Sequence, residues 1–134
     1  MRREVPLIFD RLRLRQNRSR RAAKLANYDF LLRRVAEDLA GRIALQNRTF
    51  ETALCLGASG GMLRQALAEQ GVARIGRLIE SDSTRALVPP SGLVLDEEKL
   101  PFKAHSLDLI VGLWGLHHVN DLPGALLQIC HALK

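Results

Sequence analysis

The residues best suited to bind a ligand or take part in a reaction follow three short apolar segments of the chain. The first segment runs into the small-residue loop Gly57–Gly61, the second into Glu80 and the third into Asp96. Small residues let backbone N–H groups approach a ligand closely, and a helix that starts after such a loop adds the positive end of its dipole. A carboxylate about 20 residues beyond the loop can accept hydrogen bonds from both hydroxyls of a ribose. With Asp96 placed to accept from an adenine amine, the three features together predict an adenosine-containing ligand.

Histidines and cysteines offer a second set of candidates. His117 and His118 follow the fourth apolar segment, and a histidine titrates near neutral pH, so His117 is a candidate general base. The alternative is that both histidines shape the wall of a binding site. Cys55 and Cys130 have no paired spacing, which indicates reduced cysteines and predicts no metal site.

The elements that must position these residues alternate between strands and helices. Alternation of this kind predicts an α/β fold with a doubly wound, mostly parallel sheet, which places strand ends side by side along one crevice. Two helices precede it, over residues 10–25 and 28–44. The four predicted strands are Thr52–Leu56, residues 73–79 (ending at Glu80), 93–95 and 107–111. A last helix begins near Asn120 or Asp121.

The chain therefore divides into a basic helical segment, residues 1–48, and the N-terminal part of a Rossmann-like domain, residues 49–134. Four strands leave the fourth as an unpaired apolar edge, so we expect further strands to be missing and self-association through that edge to be possible. The predicted domain is thus only the first portion of a doubly wound sheet.

Charge is distributed unevenly between these two segments. Residues 1–48 carry 13 Lys and Arg against 5 Asp and Glu, whereas residues 49–134 carry 7 against 9. Aromatic residues make up only 4% of the chain, so nucleic-acid binding by the basic segment is disfavoured and docking of a protein partner is preferred. No apolar run is long enough to span a membrane and no signal segment is visible, which predicts a cytoplasmic protein.

Several stretches resemble the class I S-adenosylmethionine-dependent methyltransferases, specifically the methyltransferase type 11 domain. Within that class the chain is similar to the mitochondrial complex I assembly-factor methyltransferase-like proteins and, more distantly, to the biotin-pathway malonyl-carrier-protein methyltransferases. The resemblance covers nearly the whole chain, and its most specific parts come after the loop. It is carried by Ile8-Phe9-Asp10-Arg11, Tyr28-Asp29-Phe30-Leu31, the loop, Asp96-Glu97-Glu98-Lys99-Leu100-Pro101-Phe102, Leu107–Val111 and Leu116–Pro123.

The resemblance implies S-adenosylmethionine as cofactor and assigns a part of it to each site residue. The resemblance implies that Glu80 binds the ribose, that Asp96 and Glu97 bind the adenine, and that the Gly112-Leu113 turn lies at the methionyl amine region. It implies that the loop binds the methionine end through Gly57, Ala58, Ser59 and Gly61.

Two positions depart from the family pattern. Members usually have an acid where Cys55 stands and a glycine where Ser59 stands. A thiol cannot replace the charge at neutral pH, and the Cβ of Ser59 would crowd the cofactor. Both departures predict weakened affinity for S-adenosylmethionine.

The function predicted from the sequence is that of an S-adenosylmethionine-dependent methyltransferase-like protein acting on a protein or small-molecule acceptor. The alternative is an assembly-factor-like protein-binding module with a vestigial cofactor site. Some relatives of this subgroup are associated with hydroxylation of a protein arginine, which leaves the reaction type open as well.

Overall fold

The computed structural model describes residues 4–134 and shows one sheet with helices packed on both of its faces. Short 3-10 helices at Ala22–Asn27, Arg85–Leu87 and Leu116–His118 connect the main elements. Those elements, in chain order, are α1 (Arg11–Arg21), α2 (Phe30–Ala44), β1 (Phe50–Leu56), α3 (Met62–Glu69), β2 (Ile75–Asp82), β3 (Leu93–Val94), β4 (Leu109–Gly112) and α4 (Leu122–Ala132).

The four strands are parallel and have the spatial order β3-β2-β1-β4. The central strand β1 is apolar and buried from Ala53 to Leu56, where both of its faces are covered. Its Cys55 side packs with α2 and α3, whereas Leu54 and Leu56 pack on the opposite side with Leu107 and Ala132 near α4. The predicted doubly wound α/β architecture is confirmed, and β4 forms one edge of the sheet.

Local sequence signals explain where several helices begin and end. Asp121 caps α4 by accepting a hydrogen bond from the backbone N–H of Gly124 at 2.9 Å, and Pro123 lies in the first turn. Gly71 follows α3 with φ +63°, the left-handed conformation that suits a glycine after a helix.

The second strand differs from the prediction, because β2 continues through Ser81 to Asp82 instead of ending at Glu80. The hydroxyl of Ser81 donates to the carbonyl oxygen of Cys55 at 2.8 Å, and the Ser81 carbonyl accepts from Ala58 N–H at 2.8 Å. The sequence Ser81-Asp82 is typical of a turn, but these bonds hold Ser81 in the strand. The strand end, and the carboxylate that it presents, therefore move by two residues.

Helix α1 lies outside both apolar clusters, as predicted, and none of its residues is buried. It crosses the carboxyl edge of the sheet, where its arginines reach the acidic side chains described below. Within residues 4–134, no helix is both long and apolar enough to cross a membrane.

Candidate active site at the carboxyl edge of the sheet

The loop between β1 and α3, residues 57–61, lies at this edge. Backbone φ is positive at Gly57, Gly60 and Gly61, and also at Ser59, where it is +48°. A Cβ at Gly57 would lie 2.5 Å from the carbonyl oxygen of Trp114, so the loop packs directly on the segment that follows β4. The left-handed conformation is unfavourable for a residue with a side chain. Ser59 therefore combines backbone strain with a Cβ that a glycine would not have.

Asp82, the last residue of β2, presents a carboxylate to this loop. Its Oδ2 accepts from the backbone N–H of Ser59 at 3.1 Å, and its Oδ1 accepts from the backbone N–H of Ser83 at 2.8 Å. Arg18 Nη2 from α1 donates to both carboxylate oxygens, at 3.0 and 2.8 Å, and Asp82 is only 1% exposed. Asp82, and not Glu80, occupies the strand end on which the ribose prediction depended.

Glu80 is buried two residues earlier, beneath the start of α3. Arg64 Nε donates to its Oε2 at 2.8 Å, while Oε1 is buried and accepts from no donor among residues 4–134. In the sheet Glu80 is the register partner of Cys55, whose thiol is fully buried. Burial raises the pKa of that thiol to about 12, and the carboxylates of Glu80 and Asp82 contribute to the rise. The Cys55 thiol is therefore neutral, and the negative charges near it are the carboxylates of Glu80 and Asp82 on β2.

Three consecutive acids after β3 gather around one arginine of α1. Arg11 Nη2 donates to Asp96 Oδ1 and to Glu97 Oε2, both at 2.7 Å, and Arg11 Nε lies 3.3 Å from Glu98 Oε2. Its Nη1 donates to the carbonyl oxygen of His118 at 3.2 Å. A single guanidinium thus fixes the acids predicted to recognise adenine and ties them to the segment after β4.

The residues just before α1 strengthen this attachment. Asn120 Oδ1 accepts from the backbone N–H groups of Ile8 and Phe9, each at 2.8 Å, and Asn120 Nδ2 donates to the Phe9 carbonyl at 3.1 Å. The Phe9 ring packs edge to face on His118, with centroids 5.5 Å apart. We call residues 8–11 the N-terminal clasp, because they hold the beginning of α1 against the site.

The segment after β4 supplies the opposite wall. Leu113 is buried and its backbone N–H donates to the carbonyl of Leu56 at 3.0 Å. His117 packs edge to face on Trp114 and lies close to His118, with centroids 5.6 and 3.8 Å apart. Burial lowers the pKa of His118, and the neighbouring cationic groups on His117 and α1 lower it further.

Two adjoining cavities lie at the strand ends. The first, beside α1, has a volume of about 340 Å³ and the second about 390 Å³, both within the range of small-molecule sites. Glu97, Trp114 and Gly115 line both. The first is otherwise lined by Arg11, Leu14, Arg15, Asn17, Arg18, Arg21, Ala22, Leu25, Leu32, Ser59, Ser83, Leu87 and His118, and the second by Leu56, Gly112, Leu113, Leu116 and His117.

This arrangement matches a known family. Residues 54–134, which include the loop, the strand-end acids and the segment after β4, match the family described as a methyltransferase domain. The chain belongs to that family.

Curated relatives of this methyltransferase domain include proteins named mitochondrial arginine-hydroxylase NDUFAF5. The Homo sapiens protein is 36% identical over 137 residues, covering 95% of this chain and 39% of its own length; the Danio rerio protein is 34% identical, covering 95% and 42%. The chain thus spans about two fifths of the length of these relatives. Because they are named as mitochondrial proteins, they do not confirm the predicted cytoplasmic location.

Solved structures share the fold of the methyltransferase domain at lower identity. A Haloferax volcanii complex between the Trm112 methyltransferase activator and a candidate methyltransferase aligns with a TM-score of 0.70 and 22% identity, covering 87% of this chain and 55% of its counterpart. An S-adenosylmethionine-dependent methyltransferase from Aquifex aeolicus aligns with a TM-score of 0.62 and 17% identity, covering 87% and 67%.

The methyltransferase domain brings most of the predicted site residues to one edge. Ser59 and Glu97 line the first cavity, Leu113 and His117 line the second, and Asp96 is held beside Glu97 by Arg11. Gly57, Ala58 and Gly61 form the loop above β1, whereas Glu80 lines neither cavity. Among residues 4–134, no cluster of His, Cys, Asp or Glu is arranged to hold a metal ion.

Sequence reasoning missed the contribution of α1 to the site. The half-buried residues of its inner face recur every three or four positions and continue into the following 3-10 helix: Arg11, Leu14, Arg18, Ala22 and Leu25. This spacing was present in the sequence. It was obscured because arginines also occupy the other faces, and two of the inner positions are arginines.

Proposed function

We propose that this methyltransferase domain binds S-adenosylmethionine at the carboxyl edge of its sheet and presents it to an acceptor held in the adjoining cavity. The observation that carries the proposal is that Ser59 of the loop and Glu97 line the same cavity at this edge. Asp82 lies directly behind Ser59, whose backbone N–H it accepts, and Asp96 is held beside Glu97 by Arg11. When bound, the cofactor supplies an electrophilic methyl group. The side chains fit it in kind, because carboxylates accept hydrogen bonds from ribose hydroxyls and from an adenine amine.

Each part of the site has a distinct task in this proposal. The loop residues Gly57, Ala58, Ser59 and Gly61 hold the methionine end, and Asp96 with Glu97 accepts from the adenine. Asp82 takes the ribose, because it ends β2 and accepts from the backbone N–H of Ser59 in the loop, while Glu80 lies two residues earlier in the strand. Leu113 shapes the wall near the methionyl amine.

Methyl transfer requires mainly that the acceptor be positioned in line with the reacting carbon. Trp114 and His117 line the second cavity and supply an aromatic wall against which an acceptor can be oriented. We assign His117 to this wall in preference to general-base catalysis. Its ring contacts are Trp114 and His118, and its side chain forms no hydrogen bond within residues 4–134 that would orient it.

Binding is expected to be weak at the methionine end. Cys55 is neutral where family members carry an acid, and Ser59 keeps a Cβ in a left-handed loop position. Isothermal calorimetry with S-adenosylhomocysteine tests the proposal, with Asp82→Asn as the site variant and Asp38→Asn, an exposed residue of α2, as the control. We expect measurable binding that Asp82→Asn abolishes. Absence of binding to the unmodified chain, or equal binding to Asp82→Asn, would refute the assignment.

A protein-binding function is the second candidate, and the outer face of α1 favours it. Arg13 and Arg20 are exposed, and their side chains form no ion pair within residues 4–134. The relatives named NDUFAF5 are described as arginine-hydroxylases, and one structural neighbour was solved with a protein activator. An assembly role with a vestigial cofactor site predicts that Arg13→Glu with Arg20→Glu abolishes partner binding, and that Asp82→Asn does not.

A further inference from the structure

We propose that Arg18 competes with the cofactor for Asp82, so that the position of α1 sets cofactor affinity. This inference rests on the proposed function, because it takes Asp82 as the ribose acceptor. It concerns a residue of α1 that lies outside the loop and the strand ends.

The first observation is that Arg18 saturates the carboxylate of Asp82. One guanidinium nitrogen donates to both oxygens, at 2.8 and 3.0 Å, while backbone N–H groups of Ser59 and Ser83 fill further positions around them. A carboxylate has about four lone-pair sites, and these four contacts already occupy them, with the Ser83 hydroxyl making a fifth, longer contact to Oδ1 at 3.5 Å. A ribose can bind Asp82 only if Arg18 withdraws.

The second observation is that Arg18 itself is incompletely satisfied. Its Nε is buried and donates to no acceptor within residues 4–134. A buried donor without a partner loses its bond to water and gains none in return, so this pose is less favourable than a fully bonded one. The contact between α1 and Asp82 is therefore suited to exchange with a ligand.

The third observation is the contrast with Arg11 at the other end of the same helix. Arg11 has four acceptors, on Asp96, Glu97, Glu98 and the His118 carbonyl, and the adjoining clasp is bonded to Asn120. Arg18 is held by one carboxylate. The beginning of α1 is thus fixed by several polar contacts, whereas seven residues later Arg18 bonds to one carboxylate among residues 4–134. This difference allows Arg18 to leave while Arg11 stays.

Calorimetry of the full chain with 5′-methylthioadenosine tests this competition. That nucleoside has the ribose and adenine but no amino-acid portion, so its affinity does not depend on the methionine end. Arg18→Gln is compared with Arg20→Gln, which makes the same change of charge at an exposed position of α1. We expect Arg18→Gln to bind methylthioadenosine about tenfold more tightly than the unmodified chain, and Arg20→Gln to bind it equally.

Thermal unfolding without ligand gives an independent readout. Arg18→Gln leaves the buried Asp82 without its cation, so we expect the melting temperature of the ligand-free variant to fall. Lower stability together with tighter nucleoside binding is the signature of competition. A purely structural role for Arg18 predicts that both stability and affinity fall.

The outcomes separate this inference from the proposed function. Equal or weaker methylthioadenosine binding by Arg18→Gln overturns the competition, even when the unmodified chain binds. Absence of binding to both proteins overturns the proposed adenosine site and the competition together. Should Arg18→Gln fail to fold, Arg18→Lys decides, because the lysine ammonium ends one bond nearer the backbone than Nη2 and so pairs less closely with the buried carboxylate. Tighter binding by this variant supports competition, and unchanged or weaker binding refutes it.

Discussion

The two ends of the proposed cofactor site differ in how completely their polar groups are bonded. At the adenine end, Arg11 joins the Asp96–Glu98 acids, and the N-terminal clasp adds bonds to Asn120. At the methionine end, Ser59 is strained, Cys55 is neutral, and one buried oxygen of Glu80 has no donor in the part of the chain that the structure describes. The polar groups of the proposed adenine end are thus closely bonded to one another, while those of the proposed methionine end are not.

The difference follows from which parts of the chain support each end. The conformation of the adenine end is fixed by many contacts, because three segments far apart in sequence meet there: residues 8–11, 96–98 and 118–120. The methionine end depends mainly on one short loop and on its packing against Trp114. A single substitution in the loop therefore has fewer neighbouring contacts to compensate for it.

The strongest way to break the adenine end is Arg11→Ala. It leaves three adjacent carboxylates without their shared cation, and removal of one partner from a largely buried ion pair costs about 3 kcal/mol. We expect the free energy of unfolding measured in urea to fall by about that amount. Arg13→Ala, on the exposed face of α1, should change it by less than about 0.5 kcal/mol. Equal effects of the two variants would show that the Arg11 network contributes nothing specific.

The methionine end is tested by restoring the acid that family members carry, Cys55→Asp. Position 55 is fully buried beside Glu80 and Asp82, so a third carboxylate there should destabilise the fold by about 2 kcal/mol. Adding Glu80→Gln removes one of the competing charges and should recover a substantial part of that loss. A double-mutant cycle in urea measures the coupling between the two positions. Strictly additive effects would mean that the side chains at positions 55 and 80 do not interact electrostatically.

Ser59→Gly tests the proposed methionine end in the opposite direction, because it should stabilise the loop by a smaller amount. The substitution relieves a left-handed backbone at φ +48°, offset in part by the greater freedom of glycine in the unfolded chain, for a net gain of about 0.5 kcal/mol. Removal of the Cβ should also tighten S-adenosylhomocysteine binding about threefold, equivalent to about 0.7 kcal/mol. Ser59→Ala keeps the Cβ and serves as the control. If alanine tightens binding as much as glycine does, the hydroxyl and not the Cβ is the obstacle.

The sequence was sufficient to predict the sheet, its parallel winding and the acids after β3, because long apolar strands and acidic strand ends are local patterns. It was not sufficient to place the end of β2, because Ser81-Asp82 is a sequence typical of a turn. The hydrogen bond from the Ser81 hydroxyl to the Cys55 carbonyl of the neighbouring strand, which keeps Ser81 in β2, cannot be read from the sequence. The pairing of Arg11 and Arg18 with acids 64 to 87 residues away depends on tertiary geometry. Charge counting correctly found a basic helix, but it could not show that two of its arginines belong to the site.

The smallest effect concerns the pH dependence of the adenine end through His118. Burial and the nearby cations lower the pKa of this histidine in the folded chain, so the folded state binds a proton less readily than the unfolded state. The resulting stability is complete above the ordinary histidine pKa of about 6.5 and is lost as pH falls from there through the lowered folded value. His118→Gln should flatten the melting temperature between pH 7 and pH 5, whereas His131→Gln, at an exposed position of α4, should leave its slope unchanged. A slope that persists in His118→Gln would assign the titration to another group and remove His118 from the electrostatics of the clasp.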